Sequence, residues 1–71
     1  MKENESQNLA EALCEELIRV REILTHYKEI GSAGIFGATM IEISLQEADK
    51  AIISGDLVSI IRAYNDLREI Q

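Results

Sequence analysis

Gly31-Ser-Ala-Gly-Ile-Phe-Gly-Ala-Thr-Met40 places three glycines within seven residues of a chain that otherwise reads as helix and contains no proline. One helix must end here and another begin, so this stretch decides the fold. Gly31 is a natural helix stop, because glycine takes the left-handed backbone without a Cβ penalty. Working outward, the pattern predicts a first helix over about residues 6–30. Asn4 or Ser6 is placed to cap it, and Glu11 lies near the positive end of its dipole. A second helix is expected to begin between Ser32 and Ile35 and to cover about residues 34–53. Ser54-Gly55-Asp56 marks another turn, with Gly55 in left-handed backbone and Asp56 capping a third helix over about residues 57–70.

Apolar spacing shows which faces need cover. Leu9, Leu13, Leu17, Val20, Leu24 and Tyr27 form one helical stripe on the first helix, and Ile41, Leu45, Ala48 and Ile52 form another on the second. Leu57, Ile60, Ile61, Tyr64 and Leu67 give the third helix an inward face. Two further seams, Cys14, Ile18, Arg21 and Thr25 on the first helix and Phe36, Met40 and Ile43 on the second, lie away from these stripes. A monomeric hairpin does not need them. The expected architecture is therefore all-α, a single domain spanning residues 1–71. It is a small three-helix bundle or a long antiparallel helical hairpin with a folded-back third helix, and it is oligomeric through Cys14, Ile18, Phe36, Met40 and Ile43.

Seventy-one residues bury only about 60% of the surface their unfolded chain exposes, which favours help from a second copy. Composition is that of a folded protein, 46% apolar and 28% charged, and one cysteine excludes an internal disulfide framework. Cys14 reads as a reduced intracellular thiol. No apolar run approaches the roughly 18 residues of a membrane span, and residues 1–8 are polar and acidic, unlike a targeting peptide. A soluble, cytoplasmic protein is expected. Thirteen acids against seven lysines and arginines give a net charge of −6, which argues against direct nucleic-acid binding.

Residues 47–70 carry Gly55-Asp56 at a turn, followed by Ile61, Ala63, Tyr64 and Leu67 on the next helix. This segment resembles the helix-turn-helix of one tetratricopeptide repeat. The resemblance occurs once, whereas a solenoid needs at least three stacked copies, so it implies shared packing geometry and no peptide binding. As a whole, a compact acidic helical chain with no catalytic motif resembles the small accessory proteins of phages and prophages. That resemblance implies a counter-defence role in the cytoplasm of a bacterial host, by covering a defence protein or by holding its nucleotide messenger.

The glycine segment admits two readings. In one, the amides of Ala33, Gly34 and Ile35 point out of the start of the second helix, Ser32 and Thr39 offer hydroxyls, and Lys28 and His26 add positive charge, making an anion cradle. In the other, Gly34, Gly37 and Ala38 simply let two helices approach closely. Neither a Walker loop nor a dinucleotide fingerprint is present. Phe36 either stacks on a ligand ring or anchors a subunit contact. The candidate ligand-binding residues are therefore Lys28, Ser32, Ala33, Gly34, Phe36, Gly37 and Thr39.

Chemistry beyond binding has little to build on. Glu15, Arg19, Glu22, His26 and Glu29 form a ladder of weak surface pairs, and with one histidine no metal is expected. Cys14 and His26 stand about 18 Å apart along one helix, too far to act as nucleophile and base within one subunit. Arg19, Arg21, Arg62 and Arg68 are candidates to grip an anion across a subunit boundary. The sequence thus points to a non-enzymatic homo-oligomer, without cofactor, that binds or sequesters a small anionic, nucleotide-like ligand. The alternative is an acidic protein-interaction module that inhibits a host protein, of the anti-CRISPR or anti-restriction type.

Overall fold

The first helix outruns its partners. A computed structural model describes residues 2–71, with side chains from Asn8 onward. Helix α1 runs Lys2–Glu29, a 3-10 turn follows at Gly31–Gly34, and α2 (Ile35–Ser54) and α3 (Leu57–Arg68) complete the chain. At 1.5 Å per residue these helices measure about 42, 30 and 18 Å, so neither α2 nor α3 covers α1 completely. The extents, 46 × 18 × 16 Å, reflect that mismatch. Helix α1 begins upstream of the expected Ser6, and the side chains of Asn4 and Ser6, read as caps, lie outside those described.

All three helices pack on one another, giving a three-helix bundle. Ion pairs fix the direction of α2 against α1: Lys28 Nζ lies 3.2 Å from Glu42, and Arg21 reaches Asp49 at 4.0 Å. Rising number on one helix meets falling number on the other, so the two are antiparallel. Helix α3 runs parallel to α1, since Leu9 and Leu57 border one cleft while Arg19 touches the carbonyls of Leu67 and Ile70. Both turns follow their glycines. Gly31 and Gly55 carry φ of 85° and 71°, and among the described residues no other type has positive φ. Gly55 N–H donates to Ala51 O and Ile52 O, closing α2.

Leu13, Leu17, Val20, Ile41, Ala48, Ala51, Ala63 and Leu67 form the core, with Leu24, Tyr27, Leu45, Ile60 and Tyr64 packed against it. The expected stripe of α1 faces inward. Two stripes are displaced from expectation. On α2, Ala51 enters the core while Ile52 stays 45% exposed, and on α3, Ala63 enters while Leu57 and Ile61 remain exposed. Ala51 and Ala63 border one cleft between α2 and α3, so small side chains take inward positions there, while Ile60, Tyr64 and Leu67 supply the rest of the inward face of α3.

Asp56 caps α3. Its Oδ2 accepts from the Ser59 N–H at 3.1 Å and from Ser59 Oγ at 2.8 Å, and these bonds hold its carboxyl below the usual carboxylate range. A lowered folded pKa means that the stabilisation is complete above the unfolded value of about 3.9 and is lost as pH falls through the folded value. Asp56→Asn should therefore unfold at a lower temperature than the wild type at neutral pH. The gap should close in acid, which paired melting curves across pH would show.

Candidate functional site

Tyr27 decides what the glycine turn is. A Cβ placed on Gly34 would collide with the Tyr27 carbonyl oxygen, and one placed on Gly37 would collide with the Tyr27 ring. Gly34 is buried and Gly37 half-buried. Close packing therefore accounts for both glycines: they let the end of α1 and the start of α2 nearly touch. The amide of Ile35, expected to point outward, instead donates to Ser32 O within the 3-10 turn. Lys28, expected to lend charge to the turn, is paired with Glu42.

Ala38 is buried as well, and the remainder of the segment faces outward. Ser32, Ala33, Thr39 and His26 are exposed, and Phe36 shows 79% of its surface. Met40 and Ile43 follow Phe36 along the same side of α2, also bare, with Ile30 and Ile35 nearby in sequence and exposed as well. Register explains the bareness. Arg19 meets the end of α3, so residues 23–30 of α1 and the first turns of α2 extend beyond that end with no third helix to cover them. The second seam of α1 is exposed too, at Cys14, Ile18, Arg21 and Thr25.

The arginines expected to grip an anion have other neighbours. Arg19 donates from Nη1 to Ile70 O at 2.9 Å and from Nη2 to Leu67 O at 2.8 Å, while Nε and Nη2 bond Glu16 Oε1 at 3.0 and 2.7 Å. It is a cap for the C-terminus of α3 and no member of a loose surface ladder. Arg21 faces Asp49, and Arg68 lies 5.6 Å over the Tyr64 ring. Arg62 stands near enough to Asp56 to favour its ionised form.

Two clefts were not legible in the linear pattern. One, about 350 Å³ between α2 and α3, places Lys50 and Arg62 beside Glu47 and Asp66. Its charges balance, and its two serines are already bonded, Ser54 Oγ to Ala51 O and Ser59 Oγ to Asp56. The other, also about 350 Å³, is apolar and lies at the α2–α3 corner between Leu9, Leu13, Cys14, Ile52, Leu57 and Ile60. Helical spacing shows the stripes but not the mismatch in helix length that opens this corner.

Among the described residues, no three His, Cys, Asp or Glu side chains gather where they could hold a metal. No described helix is long and apolar enough to cross a membrane. No protein-family model matches the chain, and no curated protein or solved structure matches it.

Proposed function

We propose that the chain is a non-enzymatic, homo-oligomeric binding protein that pairs with a second copy at its hinge end and there holds a small anionic, nucleotide-like ligand. The exposure of Phe36, in line with bare Met40 and Ile43, carries this reading. A ring this exposed gains by covering an apolar partner surface or by stacking on a base. Ser32 and Thr39 add hydroxyls to the same segment, and Lys28, at its rim, would have to exchange Glu42 for the ligand. Because packing accounts for Gly34 and Gly37, the ligand rests on Phe36 and these polar groups, without a cradle of glycine amides. A phage protein countering host defence signalling is the setting in which such sequestration fits.

Isothermal titration with a panel of linear and cyclic nucleotides tests the ligand: heat from one class, lost in Phe36→Ala, supports it, and uniformly absent heat overturns it. The assembly has its own measurement. Light scattering at micromolar concentration should report at least twice 8.0 kDa, falling to one chain in Phe36→Asp. A monomeric wild type would refute the pairing.

A second reading is favoured by the other end of the molecule. There the apolar α2–α3 corner is exposed among acidic residues, which suits an acidic module that covers and inhibits a host protein.

A further inference from the structure

The corner where α2 turns into α3 exposes a second apolar surface. Ile53 is 84% exposed, Leu57 53%, and Ile52, Val58 and Ile61 are exposed beside them. Of these, Ile52 and Leu57 line the apolar cleft, together with Leu9, Leu13, Ile60, the Cys14 thiol and the Gly55 backbone, while Ile53, Val58 and Ile61 lie outside it. Small-molecule sites carry a few convergent polar groups that orient the ligand, and the lining of this cleft has no charged, amide or hydroxyl side chain. Its chemistry suits aliphatic side chains presented by another protein.

Charge selects the partner. Glu11 and Glu15 follow the lining residues Ala10 and Cys14 on α1, and Asp56 precedes Leu57, while Asp49, one turn before Ile52 and Ile53, is paired with Arg21. All four are exposed. The cations near this corner are matched: Lys50, three residues before Ile53, pairs with Glu47 at 3.7 Å, and Arg62 favours the ionised form of Asp56. A second copy would bring the same acidic rim and a net charge of −6 against this one, whereas a basic partner is drawn in. A helix seats its i, i+3/i+4 and i+7 side chains in such a groove.

We propose that the α2–α3 corner docks the apolar face of a basic amphipathic helix from another protein, with Leu57 and Ile52 in the cleft and the exposed Ile53 beside it as the contact, and Glu11, Glu15 and Asp56 as the steering rim. This rests on the second reading of function and is independent of the ligand reading.

Fluorescence anisotropy with a labelled synthetic helix, leucines on one stripe and lysines flanking it, tests the proposal on the full chain. A glutamate-flanked isostere serves as the comparison. The lysine peptide should bind at least tenfold more tightly than the isostere and weaken as salt is raised. Leu57→Gln should weaken it at least tenfold, with Ile53→Gln as a second variant whose position makes no demand on folding. Glu11→Gln with Glu15→Gln should weaken it severalfold and flatten the salt dependence. Equal binding of both peptides overturns the basic partner while leaving a protein-docking module standing. If neither peptide binds and Leu57→Gln instead abolishes self-association, the corner belongs to a second copy. The proposal and the reading beneath it then both fail.

Discussion

Gly34→Ala is expected to destabilise the protein by about 3 kcal/mol or more, at the upper end of overpacking substitutions, because the new methyl group meets backbone. A flexible side chain can swing away from an intruding carbon. The Tyr27 carbonyl cannot, being held in the last turns of α1, so the helices themselves must separate. A chain of this length has a total stability of roughly 4–10 kcal/mol, and the substitution removes a large share of it. Gly37→Ala is the internal comparison. Its methyl group meets the Tyr27 ring, which is half-buried and can rotate, so the loss should be smaller, about 1–3 kcal/mol. Urea melts of the two variants measure both. A Gly34→Ala protein as stable as the wild type would show that the turn is open, and would return its amides to the anion reading.

Arg19→Leu should cost about 2 kcal/mol, the scale of charged hydrogen bonds lost at a partly covered site. Its guanidinium holds two carbonyls at the end of α3, that of Ile70 and that of Leu67, which also accepts the Ile70 N–H, and anchors Glu16 as well. Leucine keeps the apolar stem and removes only the donors, so the effect reports the cap and not lost packing. Hydrogen exchange should rise first in residues 63–70, since the last turn of α3 loses its tie to α1. Arg19→Lys should recover part of the loss, because one ammonium cannot reproduce the planar fork that reaches both carbonyls and the carboxylate. Unchanged stability and exchange in Arg19→Leu would mean that water replaces the cap at no cost.

These two residues show where linear reading reaches its limit. Arg19 sits at helical spacing from Glu15, Glu16 and Glu22, and periodicity alone describes a solvated ladder. Its partner Ile70 is 51 residues away, and nothing local marks that contact. Gly34 and Gly37 were legible as points of freedom, yet freedom serves a ligand or a neighbouring helix equally well. The Tyr27 carbonyl and ring, placed by the sharp return of the chain, distinguish the two. Phe36 was legible as unusual by its position between glycines, and its exposure follows from α3 ending short of it.

The sequence by itself determined three helices, their turns and the inward stripe of α1. Those depend on local forces: glycine at positive φ, an Asp56 side chain bonded three residues on, and apolar side chains recurring every turn. Tertiary structure decided which glycines are packed, which stripe α3 turns inward, what Arg19 holds, and which apolar faces at the hinge and the corner stay bare. Each of those turns on the register and relative length of helices far apart in the chain. Small Ala51 and Ala63 take core positions where α2 and α3 meet, a matter of side-chain volume that helical periodicity does not encode.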